Sequence, residues 1–283
     1  MLKLEHVKKK YGNFQLDCSM EVRNGFVTGL IGANGAGKST TFKSVLDLIS
    51  IDSGKITIFD KDYRSITTAD KEDIGVVLGT SGFSGYLSIK QIIPVLEAMY
   101  HRFDKAAFVK SCGEYGLPMD KKIKDFSTGM QARLKLTVAM SHDAKLLILD
   151  EPTSGLDVIA RDSLLDQLRS YLDEKDGRSI LISSHISSDL ESFCDDIYML
   201  HRGNIMFHEE TDVLMDEYGI LKVDNDQYEN LDKAYILYVK DEAYGKICLC
   251  RERQYYMDNY PWIVVERSGL DGLLTVVEKG ARI

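Results

Sequence analysis

Residues Gly32 to Thr40 read G-A-N-G-A-G-K-S-T, with Gly32, Gly37, Lys38 and Ser39 at the fixed positions of G-x-x-x-x-G-K-[ST]. The chemistry such a stretch can do is polyphosphate binding. Several backbone N–H groups must meet phosphate oxygens at once, so the chain has to curl tightly, which glycine permits without steric cost. Gly32, Ala33, Asn34, Gly35, Ala36, Gly37 and Thr40 form that cradle with the two working side chains. Lys38 is placed to reach the β- and γ-phosphates, and the Ser39 hydroxyl to ligate Mg²⁺. ATP and Mg²⁺ are therefore the expected ligands.

A second candidate group lies downstream, in Leu146-Leu147-Ile148-Leu149-Asp150-Glu151. A buried strand ending in Asp puts a carboxylate at the sheet edge, where Mg²⁺ seeks an oxygen ligand. Apolar strands ending in Asp are common, so this segment gains its meaning from the phosphate loop. Glu151 then stands where a general base for an attacking water is needed; the plain alternative is a solvated acid at a turn before Pro152. Ser127-Thr128-Gly129-Met130-Gln131 opens a helical segment, Ala132 to Met140. Serine is a preferred N-cap and a helix N-terminus attracts anions, although spacing alone would fit a simple capped helix.

The elements that must hold these groups follow from periodicity. Phe26 to Ile31 is a short strand before the loop, and Thr40 to Ile49 a helix after it, through Phe42, Val45, Leu46 and Ile49. Leu2 to Tyr11 and Leu16 to Val22 alternate as strands. Gly54 to Phe59 and Ile74 to Leu78 are further strands, the latter before a glycine-rich bend through Gly79, Gly82 and Gly85. Between Ser88 and Ala139 the pattern is helical, with a break at Gly116-Leu117-Pro118. Lys145 to Leu149 and Ser179 to Ser183 are expected as central parallel strands around a helix from about Val158 to Leu172. Strands alternating with helices around a phosphate loop predict an α/β fold with a mostly parallel sheet. The phosphate site belongs at the strands' C-terminal ends.

Composition changes after about Asp216, with tyrosines and Trp262 concentrated between Tyr244 and Trp262. Strands are expected at Ala234 to Lys240, Lys246 to Cys250 and Trp262 to Glu266, with a closing helix from Leu270 to Glu278. The domain division expected is thus 1–215, with a helical subdomain at about 83–140, and a small α/β domain at 216–283.

The chain has 283 residues and a formal net charge of −9, which argues against nucleic acid or anionic lipid as a partner. Its five cysteines are odd in number and form no C-x-x-C, so a disulfide framework is not expected and a reducing cytosol is. No run of about eighteen apolar residues occurs, and the N-terminal segment lacks the apolar core of a secretory signal.

In order, the chain carries the phosphate loop at 32–40, F-S-T-G-M-Q at 126–131, L-L-I-L-D-E at 146–151, S-G-L-D at 154–157 and S-S-H at 183–185. This succession resembles the ATP-binding subunit of an ABC transporter over about residues 1–215. The resemblance implies an antiparallel β subdomain and a helical subdomain beside the core. It implies that Tyr11 stacks on adenine and that Ser127 and Gly129 contact the γ-phosphate held by a second ATP-binding subunit. Asp157 would link the two sites, and His185 would hold the γ-phosphate and attacking water. ATP would drive closure of a homo- or heterodimer, and closure would move a separately encoded integral membrane subunit docked near residues 79–100. The protein would lie in the cytoplasm, held to the inner face of the cell membrane by that partner. The appended domain resembles, more loosely, those of subunits serving multidrug or antibiotic-peptide exporters.

Two positions depart from the family pattern. Gly79, followed by Thr80 and Ser81, stands where a glutamine touching Mg²⁺ and water is usual. The signature reads S-T-G-M rather than S-G-G-Q, with Gln131 one place late. These changes bear on coupling and turnover more than on ATP binding. A soluble ABC-type ATPase acting on nucleic acid or ribosomes is one alternative. It is disfavoured because 89 residues separate Lys38 from Ser127 without a heptad run and only one cassette is present. A non-hydrolysing ATP-dependent interaction module is the other, disfavoured by the presence of Glu151 and His185.

Overall fold

The computed structural model describes residues 1–79 and 82–283; Thr80 and Ser81, the two hydroxyl residues beside Gly79, lie outside the described residues. The chain forms two compact units, residues 1–185 with 198–206, and residues 186–197 with 207–283.

The first unit begins with β1 (Leu2–Tyr11), β2 (Phe14–Val22) and β3 (Val27–Ile31), followed by helix α1 (Lys38–Val45), β4 (Ser53–Ile58) and β5 (Lys61–Asp62). A short α2 (Thr68–Lys71) leads into β6 (Ile74–Val77), and α3 (Ile89–Met99), α4 (Lys105–Glu114) and α5 (Thr128–Met140) follow. Then come β7 (Leu146–Asp150), α6 (Val158–Asp173), β8 (Ser179–Ser183), β9 (Asp196–His201) and β10 (Asn204–Glu210), of which residues 196–197 and 207–210 belong to the second unit. These ten strands form one sheet in the order β5-β4-β1-β2-β10-β9-β3-β8-β7-β6.

Within it, β3, β8, β7 and β6 are parallel neighbours. Every residue of β3, β7 and β8 is buried, which explains why they read as continuous apolar runs rather than alternating ones. On the other side β1 pairs antiparallel with β2 and β4. The outcome is the expected α/β class: a mostly parallel centre, an antiparallel flank and a helical part.

Two apolar cores fill this unit. One packs α1, through Phe42 and Val45, against Leu4, Val7, Ile148 and Leu181 of the sheet. The other is helical, built from Ile89, Ile92, Leu96, Phe108, Cys112 and Leu134. Burying each such side chain contributes about 1.5–3 kcal/mol. Helix α5 meets β6 closely, since a Cβ on Gly75 would lie 2.2 Å from the Ala139 carbonyl oxygen.

The second unit holds an antiparallel sheet of β11 (Gly219–Val223), β12 (Ile236–Glu242), β13 (Gly245–Cys250), β14 (Val264–Arg267) and β15 (Ala281–Arg282), in the order β14-β11-β13-β12-β15. Its core gathers Leu221, Val223, Cys248, Cys250 and Tyr256. Ser187 and Glu191, in the short helix α7 (Ser187–Glu191), hold the closing helix Leu270–Lys279. The Ser187 hydroxyl donates to Asp271, and Glu191 Oε1 accepts the Leu270 N–H at 2.6 Å. Residues 186–197 therefore pack with the C-terminal unit, a division that does not coincide with the boundary expected at 215.

All five cysteines are buried free thiols. Burial pushes Cys18, Cys248 and Cys250 up to about 12, which leaves them protonated at neutral pH.

Candidate nucleotide site

The parallel strands deliver the site. β3 ends at Ile31 and runs into the Gly32–Thr40 loop, β7 ends at Asp150, and β8 ends at Ser183, two residues before His185. The loop then turns into α1. Its backbone is left-handed at Gly35 (φ 82°) and Gly37 (φ 117°), a region in which side chains with a Cβ are strained. Gly32 is required by space instead: a Cβ there would sit 2.2 Å from the Leu200 carbonyl oxygen. The Gly203 N–H donates to the Ala36 carbonyl at 2.8 Å, so the turn between β9 and β10 braces the loop from behind. Gly37 caps α1 and offers no side-chain acceptor. The first N–H groups of the helix are thus left to meet an anion.

A cavity of about 490 Å³ opens over the loop, lined by Phe14, Asn34, Lys38, Ser39, Glu151 and His185 among others. Lys38 is 6% exposed. Its Nζ donates to the Gly32 carbonyl at 2.6 Å and lies 3.4 Å from Glu151 Oε1. Glu151 Oε2 in turn accepts the His185 N–H at 3.2 Å and pairs closely with His185 Nδ1. Lys38, Glu151 and His185 are one connected group.

Beneath the acids lies Ser183. Its hydroxyl donates to Asp150 Oδ1 at 2.7 Å and accepts the Glu151 N–H at 3.0 Å. This contact helps hold Glu151 in a left-handed conformation, φ 53°, which a non-glycine residue adopts at a cost of about 1–3 kcal/mol. The turn swings Glu151 off the strand and toward the loop cavity, while Asp150, only 7% exposed, stays at the strand end.

The other expected residues sit elsewhere on the unit. Tyr11 is 47% exposed and does not line the cavity; Phe14, its partner across the β1–β2 hairpin, does. Ser127 is the N-cap of α5, its side chain accepting the Met130 N–H at 3.2 Å. Asp157 caps α6 in the same way, accepting the Ala160 N–H at 2.8 Å. Both caps are exposed, and a Cβ on Gly129 would lie 3.4 Å from that of Ala160, so the two helix starts adjoin. They are not part of the loop cavity. Gly79 is exposed, with nothing within 4 Å of where a Cβ would stand.

Phe14 and Ser183 escaped the sequence reading. Phe14 alternates with Leu16 and Cys18 as a strand residue should, and a serine closing an apolar strand carries no signal of a double hydrogen bond.

The donor set suits a magnesium nucleotide. Ser39 and Asp150 offer hard oxygens, and a small protein share of the ligands is usual for Mg²⁺. No group of three or more His, Cys, Asp or Glu able to hold a metal occurs among the described residues.

Residues 16–154 match the protein-family model described as ABC transporter. The lantibiotic transport ATP-binding protein SrtF of Streptococcus pyogenes is 35% identical over 216 residues, covering 75% of this chain and 92% of that protein. The Nod factor export ATP-binding protein I of Bradyrhizobium diazoefficiens is 31% identical over 260 residues, covering 87% and 84%. Among solved structures, an ATP-binding subunit of an ABC transporter superposes with a TM-score of 0.66 at 25% identity, over 76% of this chain and 91% of its own.

Proposed function

The chain belongs to the ABC transporter family as an ATP-binding and ATP-hydrolysing subunit, and from that premise we propose how its residues divide the work. Lys38 and the backbone of residues 32–40 hold the triphosphate. Phe14 flanks the base side of the cavity, with Tyr11 beside it on the hairpin. Glu151 takes a proton from water as the water oxygen attacks the γ-phosphorus and the bond to the β–γ bridging oxygen breaks. His185 holds the Glu151 carboxylate in place. Mg²⁺, held by Ser39 and Asp150, would supply charge neutralisation at the phosphates.

The observation carrying this reading is the connected group Lys38–Glu151–His185 lining one cavity with the glycine loop. Ser127, Gly129 and Asp157 are the face for a second ATP-binding subunit, since Ser127 and Asp157 are exposed, Gly129 is half-buried beside them, and none lines the loop cavity. Among the described residues no helix is long and apolar enough to cross a membrane. We propose that a separately encoded membrane subunit holds the protein at the inner face of the cell membrane and carries the cargo, a reading supported by relatives named as transport ATP-binding proteins. SrtF is named for lantibiotic transport and the Nod factor protein for export, and the latter supports an export role here. Domains 1–215 and 216–283 divide the labour between nucleotide chemistry and an accessory part.

The test is phosphate release from ATP by the purified chain, wild type against Glu151→Gln. Equal rates would remove Glu151 from the chemistry, and absence of both binding and turnover in folded wild-type protein would sink the reading.

A further inference from the structure

Gly79 leaves a gap, and one charged side chain borders it. A cavity of about 290 Å³ backs the acid pair, lined by Gly79, Gln131, Lys135, Asp150, Glu151 and Ser154 among others. A second cavity, of about 550 Å³, shares Gly79, Gln131 and Lys135 with the first. Gln131 and Lys135 lie four residues apart on α5 and so present one face. The Gln131 amide is engaged, donating to the Phe126 carbonyl at 3.2 Å. Lys135 is half-buried, with its Cε 3.4 Å from where a Cβ of Gly82 would stand, so its stem runs along the glycine bend. Its ammonium forms no ion pair with an acid among the described residues. Among the described residues, the acids lining its cavity are Asp150 and Glu151.

Glu151 pairs with Lys38 of α1 and His185 beyond β8 and shares a cavity with Lys135 of α5, with Asp150 beside it in sequence. Lys38 cannot serve Glu151 and a triphosphate equally. As phosphate oxygens draw its single point charge, the carboxylate is left facing their negative charge. A cation in the cavity that the acid pair also lines offsets that repulsion and keeps the carboxylate oriented toward water.

We propose that Lys135 is a positioning residue for ATP hydrolysis, acting on Glu151 across the space that Gly79 leaves open. The inference rests on the ATPase reading above and adds a residue to it.

The test uses the full chain and three variants, Lys135→Met, which keeps the stem without the charge, Lys135→Arg and Glu151→Gln. Lys135→Met lowers kcat by about tenfold or more while ATP affinity, measured by equilibrium titration, stays within about twofold; Lys135→Arg recovers most of the rate. A readout without nucleotide accompanies it. In a thermal-unfolding cycle, Lys135→Met lowers Tm at least about twice as much in the wild type as in the Glu151→Gln background. An unaltered kcat in folded Lys135→Met, or an additive cycle, overturns the proposal. Should Lys135→Met fail to fold, Lys135→Gln carries the same measurements. Wild-type protein that neither binds nor hydrolyses ATP refutes the parent reading instead, and the unfolding cycle still decides whether Lys135 and Glu151 are coupled.

Discussion

Lys38 Nζ lies 3.4 Å from Glu151 Oε1 and 2.6 Å from the carbonyl oxygen of Gly32, so the cation of the glycine loop and the carboxylate after β7 are in direct contact. Lys38→Ala removes that charge from a site where the side chain is 6% exposed. Hydrogen bonds to charged groups contribute about 1.5–3 kcal/mol each, and ATP affinity should fall by at least about tenfold. Equilibrium titration with ATP checks this; unchanged affinity would show that the triphosphate binds elsewhere.

Glu151→Gln keeps the shape and the contact to the His185 N–H but cannot accept a proton. The rate of phosphate release should fall by about 10²–10⁴ while ATP binding persists. The variant should also accumulate as an ATP-dependent dimer in gel filtration. Wild-type turnover in this variant would assign the base to another residue.

Gly79→Gln should be accommodated, because nothing stands within 4 Å of the position of its Cβ and its φ is not in the left-handed range. The added amide can help orient water near Asp150 and Glu151, so Mg²⁺-dependent turnover should rise. Rates for both proteins against Mg²⁺ concentration decide it. A folded variant with an unaltered profile would show that position 79 takes no part in the chemistry.

His142 sets a pH dependence of stability. It is 1% exposed, stacked on Tyr100 with ring centroids 4.1 Å apart, and its Nδ1 donates to the Glu72 carbonyl at 3.0 Å. Burial, helped by the nearby Arg102 charge, holds the imidazole below its ordinary range. The unfolded chain then binds the proton more readily than the folded one. The stability from a neutral His142 is fully present above about pH 6.5 and is lost as pH falls below it. Between about pH 7.5 and 5.5 the Tm of the wild type should drop more than that of His142→Phe, which cannot titrate. Parallel Tm curves would exclude His142 as the cause.

The sequence carried the phosphate loop and the acid pair because their residue types are tied to fixed spacing. The loop sits between β3 and α1, and Asp150 is the last residue of β7, as read from the pattern. Three features lay beyond that reading. β9 was not anticipated, since Asp196-Ile197-Tyr198-Met199-Leu200 follows an irregular acidic stretch and is buried along its length, which removes any alternation. The aromatic lining the cavity is Phe14 rather than Tyr11 because the β1–β2 register, which sequence alone does not fix, places them opposite each other. The packing of residues 186–197 with the C-terminal unit depends on two long-range contacts, Ser187 to Asp271 and Glu191 to Leu270, that leave no local trace.

The two apolar cores of the first unit have no buried residue in common. Helix α5 joins them, giving Leu134 to the helical core while Ala139 abuts Gly75 of β6. In terms of cooperative unfolding, this division predicts two steps within one unit. Amides of α3 and α4 should exchange with solvent through an opening that leaves β7 and β8 protected, because no residue of β7 or β8 belongs to the helical core. The acid pair and the phosphate loop adjoin the sheet core, which holds Ala36, Phe42 and Ile148, so the site should keep its geometry while the helices beside it open and close.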